Sequence, residues 1–158
     1  MSSRLFQHIR EERGLCYSIY SYPVSFRTLG AFCIYSGCTE KQAEEACKGI
    51  LYEINDLVHN GIEPDEFNRA KKQMQRSYLL GMESSSAHMN INGKTALLLD
   101  KEYDMESVLQ KIKAVTMNDV LDLIPRVFKA EKLSVAVVGR AGSCSENLEK
   151  RIRSWYNN

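Results

Sequence analysis

The side chains best suited to chemistry gather near the start of the chain, where His8-Ile9-Arg10-Glu11-Glu12 falls one residue short of a helical H-x-x-E-H. In that arrangement two histidines bind zinc and the glutamate acts as general base. Glu12 stands where the second histidine belongs, and neither His59 nor His88 lies in a motif that would replace it. The stretch therefore reads as a charged helix face, and metal ligands are expected nowhere in this chain. Carboxylates can also ligate zinc, so a His8 and Glu12 site is the competing reading. Gly93-Lys94-Thr95 resembles the end of a phosphate-binding loop, but the glycine required five positions earlier is His88. Gly139 and Gly142 lack the middle glycine of a dinucleotide fingerprint. No G-x-S-x-G elbow is present, and the five cysteines (Cys16, Cys33, Cys38, Cys47, Cys144) form no C-x-x-C pair. They read as small apolar residues, with Cys144, near a helix start, the most reactive of them.

The elements that must carry these residues follow from periodicity and capping. Ser2 or Ser3 can cap an opening helix with Leu5, Phe6 and Ile9 in its stripe, and Gly14 stops it. Leu15 to Tyr22 and Ala31 to Ser36 read as an antiparallel hairpin interrupted by Pro23 and the Arg27-to-Gly30 stretch. Thr39 with Gln42 signals a capping box for a long helix that ends at Gly61. Pro64 opens the next helix, and Ser84-Ser85-Ser86 is expected to kink it before helix resumes toward Leu99. Met105 to Val115 and Thr116 to Phe128 read as two shorter helices. Leu133 to Val138 reads as a buried strand pairing with the hairpin. Ser143 and Glu146 cap a last helix with Leu148, Ile152 and Trp155 inward. The fold class is α+β, with helices packed on one face of a small, mostly antiparallel sheet. Three strands make a thin sheet for so many helices, so the missing partner strands are expected upstream of Met1.

Composition narrows the function. Twenty-one basic and twenty acidic side chains among 158 residues leave a net charge of +1. That balance argues against nucleic acid or anionic membrane as partner. Arg69, Lys71, Lys72 and Arg76 cluster on one helix but lack interleaved aromatics, so they read as a solvated face. No apolar run approaches membrane-spanning length, and no secretory or transit signal opens the chain. With an odd number of cysteines, reduced thiols in the cytoplasm are the expectation.

One stretch is far more specific. MSSRLFQHIREERGLCYSIYSY closely resembles a segment in the C-terminal, non-catalytic half of the pitrilysin and mitochondrial processing peptidase family of inverted-zincin metallopeptidases. The family elements M-S-S-R-L-F-Q, I-R-E and R-G-L-x-Y-S stand at Met1 to Gln7, Ile9 to Glu11 and Arg13 to Ser18. AFCIYSGC, EPDEFNRAKKQMQRSYLLGMES, VTMNDVLDLIPRVF and KLSVAVVG look like their counterparts in the same order, most closely in bacterial processing-peptidase-like members. Cys16 departs from the small residue more usual there.

The resemblance implies that residues 1–158 are the C-terminal, peptide-binding, inactive half-domain of a zinc metallopeptidase, lacking its first strands and helix. Its partners would be the zinc-bearing N-terminal half of the same polypeptide and peptide substrates, and exposed sheet edges would favour a homodimer. Zinc would be bound by the parent protein and not by this chain, which alone should be inactive. The family's Arg and Tyr, seven residues apart, match Arg10 and Tyr17. Arg10 would bind substrate backbone carbonyls; Tyr17 would bind substrate and act catalytically by donating to the scissile carbonyl or its oxyanion. On the residues alone, Arg10 is a helix-end cation and Tyr17 a strand aromatic. The alternative is a catalytically inactive homologue serving as a peptide-binding or scaffolding subunit.

Overall fold

A computed structural model describes residues 3–139, 150 and 152–154. The expected cap at Ser143 and Glu146, Cys144, Leu148 and Trp155 lie outside the described residues. The elements run in order: a π-helix Leu5–Glu12, β1 Ser18–Ser25, β2 Gly30–Gly37, α1 Glu40–Asn60, α2 Pro64–Gly81, α3 Ser85–Leu99, α4 Met105–Ala114 and α5 Met117–Val127. The chain divides into two compact units, one of residues Met1–Gly61 with Ile124–Asn158, the other of Ile62–Leu123.

In the first unit the opening helix is wound wider than an ordinary α-helix, and Ser3 Oγ accepts from the Phe6 N–H at its start. Gly14, at φ +58°, ends it: its N–H bonds to the Arg10 carbonyl and that of Leu15 to the Ile9 carbonyl, so the chain reverses toward the sheet. A Cβ at Gly49 of α1 would stand 3.2 Å from the Arg13 guanidinium and 3.4 Å from Ile9, so α1 approaches the π-helix closely at this glycine. Ion pairs fasten the same approach, Arg4 to Asp56 at 2.6 Å and Arg13 to Glu45 at 3.3 Å. The apolar centre is Ile9, Cys16 and Ile19, packed on by Leu5, Leu15 and Ile50. Phe32 meets Phe128 edge-on at 5.1 Å.

The hairpin register pairs Ser18 with Gly37 and Ser25 with Gly30, and β1 runs straight through Pro23. The Phe26 N–H bonds to the Leu29 carbonyl, and stepping outward by twos from that bond leaves the Pro23–Phe32 pair as one that uses neither N–H. A proline is therefore no interruption there. Thr39 does precede α1, but its hydroxyl donates to the Gln42 side-chain oxygen, while Gln42 Nε2 donates to the Gly14 carbonyl and ties α1 to the turn.

The expected strand Leu133 to Val138 is not a strand: the described residues contain one two-stranded sheet, β1 with β2. A strand exists only through backbone pairing, and none of the described segments pairs with this one. Val138 is 99% exposed where burial on both faces was expected.

In the second unit the serine run does more than kink a helix. α2 ends at Gly81 and α3 starts afresh, with Ser84 Oγ accepting from the Ala87 N–H at 3.4 Å. Asp104 caps α4 by accepting from Glu106 and Ser107. Thr116 and Asp119 form the reciprocal pair that starts α5, and those hydrogen bonds from the Thr116 side chain and backbone hold the Asp119 carboxyl below its ordinary range. Lys71 belongs to no solvated face: its ammonium donates to the Lys113 and Val115 carbonyls at 2.6 and 2.7 Å, closing the C-terminal end of α4.

Candidate functional site

The seven-residue interval from Arg10 to Tyr17 spans a helix end, a glycine turn and a strand start, and each residue ends in a different setting. Arg10, in the last turn of the π-helix, is half-exposed, its guanidinium 4.7 Å above the Phe6 ring and 3.9 Å from the Glu11 carboxylate. Tyr17 is 87% exposed. It lines an open depression of about 490 Å³ together with Gly14, Cys16, Ser18, Tyr35, Gly37, Cys38, Thr39 and Gln42. Arg10 is not among the residues lining that depression.

Tyr17 owes its exposure to a backbone irregularity. Counting by twos from the Phe26–Leu29 bond makes Ser18–Gly37 a hydrogen-bonded pair, yet the Tyr17 N–H also bonds to the Gly37 carbonyl, at 2.7 Å. This extra bond lies at the very start of β1, just before its first pair, and has the pattern of a β-bulge, a device that re-aims a side chain. It also shifts the alternation of faces by one step, which is why Cys16 and Ile19, three residues apart, both enter the apolar centre. Tyr17 is thereby turned to the opposite face, where Tyr20, Tyr22 and Tyr35 stand.

Those tyrosines form an aromatic row that the sequence reading missed. Tyr20 stacks on Tyr35 with centroids 4.9 Å apart and lies 5.9 Å from Tyr22, all three substantially exposed. Arg27 is the single charged residue between Leu15 and Thr39. The alternation Tyr20, Tyr22 in one strand opposite Tyr35 in the other was the available signal, but only the register says that the three share a face.

His8 turns to α1. Its Nδ1 is 2.8 Å from a carboxylate oxygen of Glu53, a residue of α1 that is only 8% exposed. Among the described residues no three of His, Cys, Asp or Glu come together as a metal site would need. His8 instead pairs with Glu53 between helix and helix. Among the described residues no helix is long and apolar enough to cross a membrane.

Comparison with known proteins agrees with this region of the chain. Residues 1–74 match the family described as the peptidase M16 inactive domain. An uncharacterized zinc protease of Streptomyces coelicolor is 38% identical over 139 residues, covering 88% of this chain and 30% of its own length. One of Bacillus subtilis is 35% identical over 143 residues, covering 90% of this chain and 35% of its own length. The chain thus spans about a third of the length of these curated relatives. Among solved structures, a chain of complex III2 from Candida albicans superposes with a TM-score of 0.70 at 23% identity, over 80% of this chain and 30% of that one. A conserved protein from Enterococcus faecalis gives 0.61 at 21% identity, over 78% and 29%. Both likenesses are of fold.

Proposed function

The chain belongs to the M16 peptidase family, as its inactive-domain type, and we propose that it is the C-terminal, peptide-holding half-domain of a zinc-dependent metalloendopeptidase. The catalytic zinc and the glutamate base would come from an N-terminal half of the same polypeptide. When bound there, zinc would polarise the scissile carbonyl and activate water. This chain's own residues hold the peptide. The observation that carries the reading is the bulge at Tyr17, which spends a ladder position to turn a phenol outward beside an open depression.

A phenol so exposed can donate to a substrate carbonyl, and more strongly to the oxyanion that develops when water attacks it. Arg10 supplies charge-assisted donors for backbone carbonyls of the same peptide. Its present partners, an aromatic face and a neighbouring carboxylate, are themselves solvent-accessible, so substrate can displace them at little loss. The uncharged tyrosine row suits an extended polypeptide with aromatic or aliphatic side chains.

Binding of a fluorescent unfolded peptide to the 158-residue chain tests this. Tyr17→Phe and Arg10→Ala should each weaken binding several-fold while circular dichroism stays unchanged, and unaltered affinity in both variants would overturn the assignment. The chain incubated with zinc should cleave nothing. Chelator-sensitive cleavage would instead restore the His8 and Glu12 site.

A further inference from the structure

The depression beside Tyr17 is bordered by two thiols, one of which also belongs to the apolar centre. Cys16 and Cys38 both line it, Cys16 buried at 7% exposure and Cys38 exposed, and both are unoxidised. Their relation follows from the bulge. Ser18–Gly37 is the last pair of the hairpin, Tyr17 is the extra residue whose N–H bonds to the same Gly37 carbonyl, and continuing that pattern by one step would bring Cys16 across from Cys38. Without the bulge, Cys16 would oppose Thr39 and Cys38 would oppose Tyr17. The packing of Cys16 with Ile19 on one face independently supports the shifted register.

This step is also of the kind in which the two residues exchange no backbone hydrogen bonds, since it follows the bonded Ser18–Gly37 pair. Opposed residues of that kind stand about 4.5 Å apart at Cα. A disulfide spans roughly 4.4–6.8 Å between Cα atoms. The neighbouring backbone is anchored on both sides, by Gln42 Nε2 to the Gly14 carbonyl and by the Tyr17 N–H to the Gly37 carbonyl, and both thiols border the one depression.

We propose that Cys16 and Cys38 are a reversible oxidation site, in which an exposed attacking thiol and a buried resolving thiol close into a cross-strand disulfide under a peroxide. The Cys38 thiolate attacks the peroxide O–O bond and becomes a sulfenic acid, releasing one water from hydrogen peroxide. The Cys16 sulfur then attacks the Cys38 sulfur and a second water leaves with the Cys16 proton. The sum is two thiols and one hydrogen peroxide giving one disulfide and two waters. A small-molecule dithiol reverses it by exchange and is itself oxidised. Closure would fix the strand start from which Tyr17 projects. That consequence rests on the peptide-binding reading above, whereas the cross-link does not.

The test is stoichiometric hydrogen peroxide on the reduced chain, alkylation of the remaining thiols, and peptide mapping by mass spectrometry before and after dithiothreitol. The expected product is a Cys16–Cys38 linked peptide that lacks the two thiol hydrogens and reverts on reduction. Cys38→Ser, at an exposed position that leaves packing intact, should abolish it; Cys16→Ser should abolish it and leave Cys38 trapped as a sulfenic or higher acid. Cys38 joined to Cys33, Cys47, Cys144 or a second chain, or overoxidised beside a reduced Cys16 in the unaltered chain, would overturn the proposal. Peptide affinity of the oxidised chain is read separately: the cross-link can form while binding fails, which would sink the reading of Tyr17 and leave the oxidation site standing.

Discussion

The two compact units are held together by different physics. The first, with the hairpin, the π-helix and α1, buries Ile9, Cys16, Ile19, Ala46 and Ile54, and uses polar contacts chiefly to fasten helix to helix. The second, Ile62–Leu123, buries little beyond Met82 and Leu109 and leaves Met89, Leu97, Leu98 and Leu99 of α3 exposed. Its order comes from side chains that finish backbone ends: Ser84, Asp104, the Thr116–Asp119 pair and Lys71. The Tyr78 hydroxyl bonds to that of Tyr103, which in turn reaches the Met82 sulfur, bridging α2 to the segment before α4. A packed apolar centre holds a backbone irregularity in place, whereas end-capping fixes where helices start and stop. The outward-turned Tyr17 accordingly stands in the first unit.

Truncating the apolar centre should produce the largest effect and separate the units most sharply. Ile9→Ala removes the most deeply buried side chain and should destabilise the first unit by about 2–5 kcal/mol. Hydrogen exchange followed by mass spectrometry should show protection lost in residues 5–58 and largely kept in α2 and α4. Equal loss in both units would mean that the division is geometric and not energetic.

A smaller effect is expected from the second unit. Asp104→Ala removes the acceptor of the Glu106 and Ser107 N–H groups and should cost about 1 kcal/mol, seen as faster exchange in the first turn of α4 with the hairpin unaffected. A uniform drop in protection along the chain would contradict end-capping as a local device.

The subtlest distinction is in pH. Burial, followed by the hydrogen bond that its hydroxyl donates to Tyr103, pushes the Tyr78 phenol up to about 12 from its ordinary 10.0. The folded state then holds a proton that the unfolded chain releases, so this contribution is complete below pH 10 and is lost as pH rises toward 12. Alkaline titration by ultraviolet absorbance should show a tyrosine ionising late, and Tyr78→Phe should remove that late component. A late component that persists in the variant would place it on a different tyrosine.

Much of this was legible in the residues. Thr39, Gly61, Pro64 and Thr116 mark helix ends because capping is local chemistry, decided within a few residues of backbone, and the structure places α1, α2 and α5 where they indicate. The opening segment carried the family through its residue string. Leu133 to Val138 misled because an apolar run states a preference for burial and not the presence of a partner strand, and pairing is a property of the whole fold. Pro23 misled in the opposite sense, since its missing N–H matters only if the register asks for one.

Sequence alone thus determined the starts of α1, α2 and α5, the hairpin, the family segment and the pair Arg10 and Tyr17 as candidates. It could not determine that the Tyr17 N–H shares the Gly37 carbonyl, that Tyr20, Tyr22 and Tyr35 share a face, that His8 faces Glu53, or that Cys16 and Cys38 border one depression. Each of these depends on strand register or helix approach. A single inserted residue reverses which face every later side chain occupies, and only the packed structure fixes that count.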